Sequence, residues 1–251
     1  MTIQCGRCIG CRLDYSREWA IRCYHESKLY DDNCFVTLTY RDPNQCTLEQ
    51  LAKREHIRDD YSLQKSHFQK FLKRLRKKAD APFRYFMCGE YGELGRPHYH
   101  VCLFNYQPSD LQHFYSVEGL HYYTSEELLK TWKYGHVTVT QFTWETAAYT
   151  ARYSLKKVHG EKADEHYRRV RDDGTVYWLL PEYSDQSNRP GIGAEFAMKY
   201  MDDFTVQDKC HRHDGGAQQM PRYYLKLLER SDPEQLEKIL ELRRQKNAER
   251  A

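Results

Sequence analysis

The sequence predicts an α+β fold: a central antiparallel β-sheet flanked by helices, with a helical extension at the C-terminal end. Three observations carry this. Residues 34–40 (CFVTLTY), 83–91 (FRYFMCGEY), 98–106 (HYHVCLFNY) and 135–142 (GHVTVTQF) are short runs rich in β-branched and aromatic side chains, as strands are. Stretches of helical periodicity fall between them. The second and third runs are separated by a Gly-rich bend, GELGRP, so the two read as a hairpin.

Taken in order, residues 12–30 form an amphipathic helix with Trp19, Ala20, Cys23 and Tyr24 on one side. The strand 34–40 ends at the turn signal RDPN, and residues 41–61 are polar and read as loop. A helix is expected over 63–78, where Phe68, Phe71, Leu72 and Leu75 follow the i, i+3, i+4, i+7 spacing of a buried stripe. After the hairpin come a helix near 125–133, the alternating strand 135–142 and a helix over 143–157. Beyond residue 160 the character changes. RVRDDGTVYWLL holds an Asp-Gly turn between two extended runs, a second hairpin. NRPGIG (188–193) is a loop leading to a helix near 194–204, and 221–230 is helical. The last helix starts with Asp232 as N-cap, Pro233 at N1 and Gln235 at N3. The chain therefore divides into a core, residues 1–160, and an extension, residues 161–251, packed on it.

The 251 residues suffice for a real core and carry a net charge of only +3. A uniformly basic coat is excluded, and the positive charge is local. KSHFQKFLKRLRKK (65–78) holds seven cations and no acid. Lys70, Lys73, Arg74 and Lys77 recur along the side opposite the apolar stripe, as a phosphate-tracking surface requires; a solvated helix face gives the same pattern. The 21 tyrosines suit base stacking as well as ordinary half-buried positions. No run approaches the roughly 18 apolar residues of a membrane helix, and MTIQCGRCIG lacks a signal-peptide pattern, so an intracellular protein is expected. Nine cysteines without a disulfide rhythm read as reduced thiols. Three of them, Cys5, Cys8 and Cys11, stand at two successive C-x-x-C spacings suited to a structural Zn²⁺. Cys23, Cys210, His211 and His213 are the candidates for a fourth ligand.

The chemistry centres on two stretches. His98 and His100 lie two residues apart on a strand and so point to one face, which fits either two surface histidines or a metal site. Glu90, on the preceding strand across the bend, can complete a coordination shell; Glu93, in the turn, is its competitor. On the helix 143–157, Tyr149 and Tyr153 are four residues apart and share a face. Lys157 continues that row and Lys156 lies alongside. Core packing gives the same tyrosine spacing, although a lysine on the row sits badly in a wholly buried stripe.

FVTLTY, GEYGELGRPHYHVCLF and YTARYSLKK occur in the order found in HUH endonucleases, the enzymes that start rolling-circle replication, and the sequence resembles that family. Tyr99 stands at the hydrophobe position between the two histidines. CGRCIGCRLDYSREWAIRC and NRPGIG narrow the resemblance to replication initiators of microviruses, small single-stranded DNA phages of the gokushovirus type. The resemblance implies a ferredoxin/RRM-like sheet and a site-specific nickase and strand-transferase acting on a single-stranded DNA origin. His98 and His100 would then hold Mg²⁺ or Mn²⁺ with Glu90 as third ligand. Tyr149 and Tyr153 would be paired nucleophiles, giving a 5′-phosphotyrosine adduct and a free 3′-hydroxyl for a host polymerase. Lys156 takes the place of the family's lysine after the second tyrosine; Arg152 holds the equivalent place after the first. With no Walker motif in the sequence, the helicase would be the host's, and the site of action the host bacterial cytoplasm. A transposase or relaxase using the same residues, or a non-catalytic metal-containing DNA-binding regulator, are the competing readings.

Overall fold

The computed structural model describes residues 5, 8–57, 61–153 and 157–248. In chain order its elements are α1 (Ile9–Ser27), β1 (Asn33–Tyr40), a 3₁₀ turn (Pro43–Gln45), α2 (Leu48–Ala52), α3 (Lys65–Arg76), β2 (Arg84–Tyr91), β3 (Pro97–Phe104), β4 (Gln112–Val117), β5 (Leu120–Thr124), α4 (Glu126–Trp132), β6 (Gly135–Gln141) and α5 (Trp144–Tyr153). There follow α6 (Lys162–Tyr167), β7 (Arg168–Val170), β8 (Val176–Trp178), β9 (Tyr183–Gln186), α7 (Ala194–Lys199), α8 (Met201–Gln207), β10 (Lys209–His211), β11 (Ala217–Gln219), α9 (Arg222–Ser231) and α10 (Pro233–Ala248).

One seven-stranded sheet, ordered β4-β5-β6-β1-β3-β2-β9, organises the molecule. Its pairings are antiparallel. Within it β1-α3-β2-β3-α4-β6 follows the βαββαβ order of ferredoxin-like folds. The α+β class and the central antiparallel sheet are therefore as the sequence predicts. Segment 41–61, expected as loop, contains the 3₁₀ turn and α2, which starts with a Thr47/Gln50 capping box. The hairpin β4–β5 and the edge strand β9 carry weak patterns, and the sequence does not predict them. β4 is exposed along its whole length, so no burial alternation marks it.

The period of two along each strand sorts side chains onto two faces. Val36, Leu38 and Tyr40 of β1, Tyr99, Val101 and Leu103 of β3, and Val137 and Val139 of β6 point to one side. There they meet Phe68, Phe71, Leu72 and Leu75 of α3 and Leu128 and Trp132 of α4. On the other side Phe35, Phe86, Cys102 and Phe104 meet Trp19 and Cys23 of α1 and Ala147 and Ala151 of α5. Trp19 stacks on Phe86 with ring centroids 4.5 Å apart. The remaining side of α1 contributes Ile21 to a third cluster with Phe204, Tyr224 and Leu228 of the extension. α1 is thus buried on two sides, which explains the long buried run in its second half.

The NRPGIG loop is the clasp of this junction. Gly193 N–H donates to the buried Glu26 carboxylate at 2.6 Å, and Arg84 donates to the same carboxylate and to the Pro190 carbonyl. Gly193 has φ +78°, and a Cβ there would meet the Tyr224 hydroxyl at 2.5 Å, so this position requires glycine.

Candidate active site

His98 and His100 point to the face of the sheet that α5 covers. Across this face one row of paired strands places His136, Thr39, His98 and Glu90 side by side, and the next row Thr138, Thr37, His100 and Cys88. Each imidazole is held by the strand beside it. Thr39 Oγ1 lies 3.0 Å from His98 Nδ1, and Thr37 Oγ1 lies 3.1 Å from His100 Nδ1. With Nδ1–H donating to threonine, each ring turns its Nε2 lone pair outwards. His100 Nε2 lies 2.8 Å from Glu90 Oε1, both side chains being buried. Its ring is 6.4 Å from that of His98, centroid to centroid. Gly92 permits this layout, since a Cβ there would stand 2.9 Å from His98 Nε2.

Tyr99 explains how a phenol fills the position between the histidines. Its side chain crosses to the opposite face, where it is wholly buried. There its hydroxyl accepts from Gln64 N–H at 2.7 Å and donates to the Gln64 carbonyl at 3.1 Å, at the start of α3. Burial pushes this phenol well above its ordinary pKa. It is a structural anchor, walled off from the histidines by its own strand.

Tyr149 reaches the histidine site. Its ring stands edge-on to His100, centroids 5.1 Å apart, and edge-on to Phe35 at 6.3 Å. The small residues Ala147 and Ala151 let α5 approach the sheet closely. α5 is described as Trp144–Tyr153, against the expected 143–157. Tyr153 closes it, but its side chain and the whole of Lys156 lie outside the described residues, and Lys157 stands in coil, half-buried.

The basic helix is not brought to this site. α3 packs on the opposite face of the sheet. Its Arg74 donates to the carbonyls of Thr131 and Trp132 at 2.7 and 3.2 Å, satisfying the C-terminus of α4, while Lys70, Lys73 and Lys77 face solvent. The cations nearest the histidines are others, which the sequence did not single out. Burial, then the charges of Arg41 and Arg96, lower the pKa of His136. Arg96 is itself ion-paired with Asp42.

The three N-terminal cysteines do converge. Their sulfurs lie within 4.8 Å of one another, the one such metal-capable group of three or more among the described residues. Cys8 N–H points at Cys5 Sγ (3.3 Å) and Cys11 N–H at Cys8 Sγ (3.5 Å), so two backbone amides support sulfur charge at the start of α1. None of the four candidate fourth ligands joins them. Cys23 and Cys210 are buried in separate clusters, and His213 stacks on Trp144 at 4.4 Å. No described helix is long and apolar enough to cross a membrane.

Comparison with known proteins adds a lineage to this geometry. Residues 33–158 match the family model for replication-associated proteins of the ORF2 type. Replication-associated protein VP4 of Bdellovibrio phage phiMH2K is 34% identical over 241 residues, covering 92% of this chain and 68% of the relative. Replication-associated protein ORF2 of Spiroplasma virus 4 is 33% identical, covering 91% and 68%. Replication-associated protein ORF4 of Chlamydia phage 1 is 28% identical, covering 62% of this chain and 38% of its own length. No solved structure matches.

Proposed function

From the premise that the chain belongs to the ORF2-type family of phage replication-associated proteins, we propose that it is a single-stranded DNA endonuclease and ligase that initiates rolling-circle replication. One observation carries the reading: a tyrosine on a helix is set against a buried histidine whose partner nitrogen, neighbouring histidine and adjacent carboxylate share one face of the sheet.

His98, His100 and Glu90 fit a hard divalent cation, Mg²⁺ or Mn²⁺. The threonine bonds orient both imidazoles as outer partners of metal ligands do, and the carboxylate supplies the oxygen that such ions favour. The bound cation would polarise a phosphate oxygen and offset transition-state charge. Tyr149 Oη is the nucleophile. It bonds to phosphorus as the P–O3′ bond breaks; its phenolic proton is given up, and the departing 3′ oxygen takes one. The products are a phosphotyrosine at the 5′ end and a free 3′-hydroxyl for a host polymerase. Because the ester keeps the bond energy, rejoining needs no nucleotide. Tyr153, one turn further on, is the second nucleophile, and Lys156 and Lys157 supply positive charge to the phosphate. Unwinding falls to a host helicase, in the host bacterial cytoplasm. The cysteine trio is a separate, structural Zn²⁺ site.

The test is to incubate the protein with labelled single-stranded phage DNA and Mn²⁺, resolve covalent adducts on a denaturing gel, and map the modified peptide. An adduct at Tyr149 or Tyr153, lost on chelation, is expected. An adduct elsewhere overturns the assignment of the nucleophile. Specific binding without any adduct leaves a regulator, and joining of unrelated strand ends points to a transposase.

A further inference from the structure

A groove of about 570 Å³ opens at the end of the sheet, between the β2–β3 turn and the β7–β8 hairpin. We propose that it seats an unpaired nucleobase of the DNA strand, next to the phosphate held at the histidine site. The proposal rests on the nucleic-acid reading above and adds to it a binding surface supplied by the C-terminal region.

Three features support it. The first is the lining. Tyr61, Tyr91, Tyr167 and Tyr177 face the groove together with Arg169 and Glu182. Aromatic faces with an arginine beside them are what a flipped-out or single-stranded base requires, since stacking accepts any base and the guanidinium can meet the phosphate. The deeper groups are already fixed. Tyr91 Oη donates to the Leu180 carbonyl at 2.7 Å, and Tyr167 Oη donates to the buried Glu182 carboxylate at 2.5 Å. Tyr61 and Arg169 remain exposed and Tyr177 half-exposed, so these three can meet a ligand from solvent.

The second feature is the hairpin itself. β7 and β8 pair only with each other, and nearly every residue of the two strands is exposed. Such a ribbon is marginal in water. It carries Arg168, Arg169 and Arg171 with Val170, Val176 and a Trp178 that is 55% exposed, and Arg171 lies over the Tyr177 ring at 5.1 Å. Asp172 and Asp173 stand at its tip, away from the groove lining. The base of the hairpin is held firmly, by Leu179 N–H to the Tyr167 carbonyl (2.9 Å) and Trp178 Nε1–H to Asp164 (2.8 Å). A fixed root and an exposed cationic, aromatic blade complement a polyanion with stacking faces.

The third feature is continuity. Gly92 lines the groove, and the same residue abuts His98 Nε2. A strand whose phosphate lies at His98 therefore has its neighbouring base at the groove mouth.

The experiment uses a thymidine oligonucleotide carrying one 5-iodouracil, irradiated with the full-length protein, and maps the crosslinked peptide. Crosslinks at Tyr61 or Tyr177 are expected, in Tyr149→Phe as in the wild type. Tyr177→Ala combined with Arg169→Ala should weaken binding of the oligonucleotide at least ~tenfold while thermal melting stays unchanged. Crosslinks confined to other segments, no binding of the oligonucleotide, or binding by the double variant within about twofold of wild type would overturn the proposal. Crosslinking in the groove by a protein that forms no covalent adduct would keep the groove and remove the nickase. An adduct at Tyr149 with crosslinks elsewhere would do the reverse.

Discussion

Thr37 and Thr39 do for the histidines what the His98-Tyr99-His100 pattern cannot do alone. Each hydroxyl fixes one imidazole by its Nδ1, so the two rings are set before any cation arrives. Replacing both threonines by valine keeps size and strand propensity and removes only these bonds. Affinity for Mn²⁺, read by calorimetry, should fall about 10–100-fold, the usual cost of removing outer partners of metal ligands, with the melting temperature nearly unchanged. At Tyr149 the chemistry is sharper. Tyr149→Phe removes the attacking oxygen but keeps the ring that packs on His100 and Phe35. The first-turnover rate should fall by about 10³-fold or more, while binding to single-stranded DNA persists. Tyr153→Phe should slow that first cut far less; equal losses in quench-flow measurements would refute the assignment of Tyr149 as the first nucleophile.

At the scale of elements, the position of α3 decides its role. Its apolar stripe is spent on the face that Tyr99, Val101 and Leu103 share, so its lysines lie across the sheet from the histidines. They can attract a strand but cannot touch the phosphate being cut. Changing Lys70, Lys73 and Lys77 to glutamine should flatten the salt dependence of DNA binding by up to about 0.7 for each phosphate interaction removed. The single-turnover rate at saturating DNA should stay at the wild-type value. A slower saturated rate would show that α3 acts at the cut after all. Arg74, by contrast, is tied to the end of α4, and a change there should be read as loss of stability.

For the molecule as a whole, the joint between α1 and the extension contains a titratable core. His25 is fully buried, with Nδ1 2.9 Å from Tyr224 Oη and Nε2 2.9 Å from the His211 carbonyl. Burial, partly offset by the hydrogen bond to His211, lowers its pKa from 6.5 to about 4. The folded protein therefore holds His25 neutral where the unfolded chain would protonate it. The stabilisation is fully present above pH 6.5 and is lost as pH falls towards 4. The full shift corresponds to ~3 kcal/mol. Denaturant melts between pH 7 and pH 4 should show this loss, and His25→Gln should flatten the decline. An equally steep decline in the variant would place the acid sensitivity elsewhere.

Much of this molecule was written locally. The strands 33–40, 84–91, 97–104 and 135–141 announce themselves because burial on one or both faces selects β-branched and aromatic residues. The H-x-H pair and the Tyr149/Tyr153 spacing follow from strand and helix periods. The cysteine trio is likewise a local pattern, and its sulfurs do meet. What only the tertiary structure decided are relations between distant segments. The pairing of β1 with β3 puts Thr37 and Thr39 against the two imidazoles, and nothing in FVTLTY marks those threonines apart from ordinary strand residues. Which side of the sheet α3 and α5 take separates the lysines from the site and brings Tyr149 to it. The strand β9 and the exposed ribbon β7–β8 show little pattern, because an edge strand and an unbacked hairpin bury too little to impose alternation. Sequence determines which side chains share a face of their own element. Which faces meet depends on long-range strand pairing, whose information is spread over the whole chain.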